Sequence, residues 1–296
     1  MGGHPAAPQQ GPPSKGPPVS RTLAVANQKG GVAKTTTVLS LGAALTELGV
    51  RVLLVDLDAQ SSLTFSLGVD PDEVEVGTAE VILGGVDAAG AVLHAADGLD
   101  LLPATVELSA LEARLAQARP SEAGAPRREL ALRAALAPLE ASYDVVLLDC
   151  SPSLGLVTIN ALAAADEVVV PLQCEMLSHR GVGQLLDTVD DVRRLLNPGL
   201  TVRGVLPTMY DARTAHQRAV LADVGDRFGV PVLSPPIPRS VRFAEAPALG
   251  RSVLRTSGRS AGAQAYREVA LSLAAAWGVP PKGRARTRRG RRPPAG

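Results

Sequence analysis

The sequence predicts an α/β fold, a mostly parallel twisted sheet flanked by helices, and three observations predict it. From Arg21 onward, short apolar runs alternate with longer amphipathic segments, the pattern of buried parallel strands joined by crossover helices. A glycine-rich stretch, "NQKGGVAKTTT" at residues 27–37, lies between the first apolar run and the first amphipathic one. Two later apolar runs end in aspartates, Asp56 and Asp149, which places carboxylates at the strand ends where ligands bind in open α/β sheets.

Along the chain, residues 1–20 hold six Pro and four Gly with almost no large apolar side chain. Such a segment cannot bury enough surface to offset its ordering entropy, and it is expected to be a disordered leader. The ordered domain is expected over residues 21–278. Strands are predicted at 22–26, 51–56, 99–102, 143–149, 167–171, 202–206 and 230–233. Helices are predicted at 35–48, 106–118, 128–139, 179–196 and 215–228. "PSEAGAP" at 120–126 reads as an exposed loop between two helices. Beyond Trp277 the Gly/Pro/Arg composition ends the fold, leaving residues 279–296 as a disordered basic tail.

Composition narrows the function classes. Aromatic residues are 2% of the chain, too few for the stacking platforms of a single-strand nucleic-acid binder. Neither a signal peptide nor an uninterrupted apolar run of membrane-spanning length is present, so a cytoplasmic location is expected. The two cysteines, Cys150 and Cys174, are far apart and read as buried small hydrophobes rather than a disulfide. His4, His94, His179 and His216 are dispersed without metal-ligand spacing. The net charge of +1 conceals an asymmetry: residues 281–296 carry seven cations and no anion, leaving about −6 on the remainder.

The glycine-rich stretch carries the chemistry. Between a strand and a helix, Gly30 and Gly31 let backbone N–H groups turn inward around anionic oxygens, and the helix that follows presents its positive end to the same charge. Val32 and Ala33 complete the turn. Lys34 is expected to reach the β and γ phosphates and Thr35 to coordinate Mg²⁺, with Thr36 beside them among the nucleotide-binding residues. The strict pattern G-x-x-x-x-G-K-[ST] is nevertheless broken, because Gln28 and Ala33 occupy its glycine positions. A methyl at 33 costs little at negative φ, where nucleotide binding is expected to survive, and crowds the phosphates at positive φ. "DLDAQSS" at 56–62 adds Asp56 and Asp58, able to interact with magnesium and orient a water, while Asp149 is placed to hold a magnesium-bound water.

The segment K-G-G-x-[GA]-K-T-T resembles the deviant phosphate loop of the ParA/MinD family of ATPases. That resemblance implies a deviant P-loop NTPase fold in which Lys29 reaches across a dimer interface to the nucleotide of the other subunit. By likeness to the family's D-x-D-P-Q segment, Asp58 is implied as the hydrolytic aspartate, with Asp56 nearer the metal. Ala59 replaces Pro, Ser61-Ser62 replaces Gly-Asn, and Ser151 replaces Pro; these departures fall where switching is controlled.

Further segments resemble the ParA/Soj chromosome-partitioning branch over roughly Arg21 to Ala276: "DCSPSLGLVTINAL" at 149–162, "VPLQCEMLSHRGVGQLLDTV" at 170–189, "VLPTMYDARTAH" at 205–216 and "IPRSVRFAEAPALGRSV" at 237–253. The resemblance implies slow ATP hydrolysis with Mg²⁺, an ATP-dependent homodimer, sequence-independent binding of double-stranded DNA, and a ParB/Spo0J-type partner that stimulates turnover. It places Thr208, Pro238 and Arg239 near adenine and Arg213 on DNA. Arg218, Arg242 and Arg259, with Arg239 and Arg251, enrich the same third of the chain in cations that could neutralise phosphate.

Three other readings are weighed. A MinD-like membrane switch calls for a terminal amphipathic helix with an apolar face, which the Arg/Gly/Pro terminus lacks. A cluster-bridging iron protein calls for Gly-flanked surface cysteines, which Cys150 and Cys174 are not. A ParA-like ATPase that positions a non-DNA cargo is compatible with every residue above.

Overall fold

The computed structural model describes residues 20–117, 127–175 and 178–279. The leader, the basic tail and the 120–126 loop anticipated from sequence lie outside the described residues, apart from Ser20 and Val279 at the two edges.

Seven strands form one sheet: β1 (Arg21–Val25), β2 (Val52–Leu57), β3 (Leu93–His94), β4 (Asp100–Leu102), β5 (Val145–Cys150), β6 (Glu167–Gln173) and β7 (Thr201–Thr208). Their order is β3-β4-β2-β5-β1-β6-β7. Every pairing is parallel except that of β3 with β4. Continuous Val/Leu runs form these strands because helices cover both faces; β2 and β5 are buried at every position.

The helices are α1 (Lys34–Glu47), α2 (Ser62–Ser66), α3 (Thr78–Ile82), α4 (Ala88–Ala91), α5 (Leu108–Gln117), α6 (Ala131–Leu136), α7 (Leu156–Ala164), α8 (Ser178–Leu195), α9 (Ala215–Phe228), α10 (Arg242–Glu245), α11 (Val253–Thr256) and α12 (Ala261–Ala276). Apolar residues of α5 to α9 pack on one face of the sheet. Those of α1, α11 and α12 pack on the other, with Tyr266 fully buried among them.

Three expectations need correction. Residues 230–233 make no strand but a single bridge, Val205 to Val232: Pro231 has no N–H to donate, and prolines 235 and 236 follow. The helix expected at 128–139 is α6 alone, with a 3₁₀ turn at each end; Pro138 lacks the N–H a continuing α-helix needs. The short antiparallel β3 was not expected, because two residues carry no readable alternation.

Parallel strands send their following loops off the same edge. The loops after β1, β2, β5, β6 and β7 therefore meet there. Register sharpens the convergence: Asp149 on β5 lies beside Val25 of β1 on one side and Asp56 of β2 on the other.

Candidate nucleotide site

The loop that leaves β1 is anchored before it turns. The Asn27 side chain donates to the Pro171 carbonyl on β6 (2.7 Å) and accepts from the Lys29 N–H (3.0 Å). Gly31 turns at φ 72°, a conformation glycine adopts freely. Ala33 follows at φ 68°, ψ 36° and begins α1 without any side-chain cap. The first N–H groups of α1 therefore lack a side-chain cap, which leaves the positive end of the helix free to take an anion.

That cavity has a volume of about 540 Å³. Gly30, Gly31, Ala33, Lys34, Thr35 and Thr36 line one side. Asp58 enters from the loop after β2, and Thr208, Pro238 and Arg239 close the far side. The fold thus brings together most of the residues nominated from sequence. Val32 contributes only backbone: its side chain is buried in the core and its carbonyl accepts from the Thr208 hydroxyl (3.0 Å). Thr208 accordingly braces the loop as well as lining the cavity.

Lys34 is 7% exposed, and its ammonium donates to the Lys29 carbonyl (3.2 Å). Burial pushes its pKa down, while Asp149 and Asp58 hold it up. Beneath the loop, Asp149 is fully buried with neither carboxylate oxygen hydrogen-bonded. Burial drives its pKa well above the carboxylate range and neighbouring Asp56 adds to this; the Thr35 hydroxyl, near but outside bonding geometry, and the Lys34 ammonium oppose it. An orphaned buried carboxylate next to a hydroxyl is a fitting pair for Mg²⁺, which takes one or two protein ligands and completes its shell with water and phosphate oxygens.

Asp56 is differently engaged. One oxygen accepts from the Asp58 N–H (3.1 Å), and the other accepts from the Thr64 N–H (2.9 Å) and hydroxyl (2.7 Å). Burial raises its pKa to about 6 despite these bonds. In this arrangement Asp56 fixes the loop that carries Asp58 and the start of α2, rather than presenting a bare oxygen as Asp149 does.

The backbone answers the question raised by Ala33. Its φ is positive, so the conformation in which a methyl costs little is not the one adopted. Ser61, where the related motif has Gly, is also left-handed at φ 51°, and cavity-lining Met209 is at φ 49°. Three left-handed non-glycine residues thus lie at or beside one cavity, the kind of stored strain found at functional sites.

Lys29 does not line the cavity. Its ammonium pairs with Glu175 Oε2 at 2.5 Å, just past the end of β6. The arginines nominated for DNA are exposed. The Tyr210–Pro238 bridge joins the loop that carries Arg213 to the segment that carries Arg239, and an open cleft there is also walled by α12, which starts two residues after Arg259. Two of these arginines are already paired: Arg213 with Asp211 through both carboxylate oxygens (3.0 Å each), and Arg242 with Glu245 (2.8 Å). Arg218 donates to the Ala212 carbonyl, which ties α9 to the Arg213 loop.

Sequence reasoning missed Phe243 and Tyr266, both in the cavity wall. They meet edge to face at 5.8 Å, and the Tyr266 hydroxyl bonds Thr37 of α1 (3.0 Å). Phe243 lies within the 237–253 segment whose resemblance was noted, while the signal Tyr266 carried was being aromatic in a chain with few aromatics.

A parallel sheet whose first loop wraps an uncapped helix end, with a buried lysine and aspartates on the adjoining strands, defines a P-loop nucleoside-triphosphatase of the deviant type. The AAA domain family matches residues 20–202. Soj of Bacillus subtilis is 41% identical over 87% of this chain and 99% of its own, and ParA of Caulobacter vibrioides 44% over 86% and 93%. The chain belongs to the ParA/Soj family of chromosome-partitioning ATPases. Among solved structures, one named cobyrinic acid a,c-diamide synthase from Mycobacterium smegmatis, with bound ADP and magnesium, is 53% identical, covers 88% of this chain and 96% of its own, and superposes with a TM-score of 0.77. Among the described residues no helix is long and apolar enough to cross a membrane.

Proposed function

We propose that this chain is an ATP-switched partitioning ATPase: it pairs on binding Mg-ATP, holds double-stranded DNA without reading its sequence, and is released when a ParB-type partner stimulates hydrolysis. The observation that carries the reading is the convergence of the uncapped α1 terminus, Lys34 and Asp58 on one cavity, over the orphaned Asp149.

Thr35 and Asp149 would hold Mg²⁺, with Asp56 behind them; when bound, the ion would supply charge neutralisation to the phosphates. Lys34 and the α1 N–H groups stabilise charge on the β and γ phosphates. Pro238, Arg239 and the Met209 backbone flank the base, and Thr208 holds the loop against it. Asp58, half-buried at the cavity edge and accepting from the Gln60 N–H (3.1 Å), orients the attacking water and takes its proton. Little covalent chemistry falls to the protein, so positioning sets the rate. Lys29 serves the neighbour's nucleotide. Arg213, Arg218, Arg242 and Arg259 supply phosphate contacts, doubled on pairing, and the basic tail adds to them.

The ordered domain spans residues 21–278 in this reading, and the protein works in the cytoplasm on the nucleoid. The name of the Mycobacterium smegmatis relative raises a second activity, ATP-driven amide formation. A glutamine-fed amidation needs a reactive thiolate, and both cysteines are buried with thiols pushed up, Cys174 to about 11. The site chemistry therefore favours a hydrolytic switch.

Asp58→Ala is the test. It should keep ATP binding and ATP-dependent DNA co-sedimentation while losing hydrolysis by about 10²- to 10⁴-fold, the usual cost of removing a proton-handling group. Near wild-type turnover would refute the role of Asp58. DNA retention that is equal in ATP, ADP and nucleotide-free samples would refute the switch.

A further inference from the structure

The Lys29–Glu175 contact is not accounted for by the chemistry of the cavity, and it involves the lysine on which the paired-subunit reading depends. Lys29 stands on an anchored backbone, its N–H bonded to Asn27, which in turn bonds β6 through Pro171. Its ammonium turns away from the cavity that Lys34 enters and meets Glu175 at 2.5 Å. Glu175 is set by its own backbone, its N–H donating to the Gln173 carbonyl (2.8 Å) in a turn directly off β6. Both ends of the pair are therefore fixed to the same strand, so it is local to one subunit and exists before any partner arrives.

We propose that Glu175 is a positioning residue that restrains Lys29: it holds the Lys29 ammonium within its own subunit and yields it only to the triphosphate of a neighbour, so that it sets the nucleotide threshold for pairing. This rests on the reading that subunits pair around ATP. A triphosphate carries several negative charges against the single charge of Glu175, so it competes effectively, whereas an empty site offers the lysine nothing better.

The strength of the pair suits such a threshold. The two side chains are 37% and 49% exposed, and ion pairs this open to water hold their partners by no more than about fivefold. A symmetric pair of subunits must release two lysines, so the effect on the dissociation constant is squared, to at most about 25-fold. The restraint can bias association without blocking it.

The experiment measures the dissociation constant of the full-length dimer by sedimentation in saturating Mg-ATP. An Asp58→Ala background keeps nucleotide intact. Glu175→Gln should tighten the dimer measurably, by up to about 25-fold, and Glu175→Asp should tighten it less. The gain should shrink as ionic strength rises. In a Lys29→Ala background, at protein concentrations raised until its weaker dimer is measurable, Glu175→Gln should bring no tightening, an outcome that a purely structural role for Glu175 does not give. A Glu175→Gln dimer as weak as, or weaker than, that of the parent overturns the restraint while leaving ATP-dependent pairing intact. Absence of a dimer in the parent and in every variant overturns the paired reading itself, and the restraint with it.

Discussion

Replacing Ala33 by glycine should make the nucleotide-free protein more stable. Ala33 holds φ 68° and ψ 36° at the entrance to α1, where an L side chain places its Cβ too near the following carbonyl at a cost of about 1–2 kcal/mol. Glycine removes that cost but enlarges the unfolded ensemble, giving back about 0.4–1 kcal/mol. The expected net gain is about 0.5–1 kcal/mol, or about 1–4 °C in melting temperature for a domain of this size. Thermal melts of the magnesium-free, nucleotide-free chain measure it directly. Ala33→Val, β-branched at the same left-handed position, should move the midpoint the other way. A glycine variant that melts at or below the parent would show that position 33 carries no strain, and would remove the argument that this loop stores any.

Asp149 supplies the pH prediction. Its folded pKa and that of Asp56 are raised by burial, so between the unfolded carboxylate value near 4 and the folded value of Asp56 near 6 the native state binds more protons than the unfolded one. Stability of the magnesium-free protein should therefore fall as pH rises through that window, and Asp149→Asn should raise the melting temperature at pH 7.5 while weakening magnesium-dependent nucleotide binding. An Asn variant that melts lower than the parent at that pH would contradict the burial argument. For DNA, Arg213→Ala should lower the slope of log affinity against log salt by about 1 for each phosphate that the guanidinium neutralises. Asp211→Asn, which releases the same guanidinium from its internal carboxylate, should strengthen binding; an unchanged slope for Arg213→Ala would place that arginine off the DNA.

Residues close together in sequence were legible from sequence. The strand cores could be read because parallel strands buried on both faces require unbroken apolar runs. That Gly30, Gly31, Lys34 and Thr35 line one cavity could be anticipated because they belong to one short backbone segment whose shape its own residues set. Asp56, Asp58 and Asp149 followed from lying at or just past the ends of such runs. Where local signals competed, as in the proline-rich 231–238 segment or at Pro138, the run of apolar residues was outweighed by missing N–H donors.

What only the tertiary structure decided is which groups meet, and in what state. Glu175 reaches Lys29 across 146 residues, and Tyr266 reaches Thr37 across 229. Asp149 keeps two bare oxygens while Asp56, its neighbour in register, has both engaged. None of these follows from residue type, because strand order brings distant segments to one sheet edge and burial there determines whether a carboxylate stays charged or a lysine finds a partner. The left-handed turn at Ala33 has the same origin: the loop is tied to β6 at one end and β7 at the other, and the backbone between them takes the path those anchors allow.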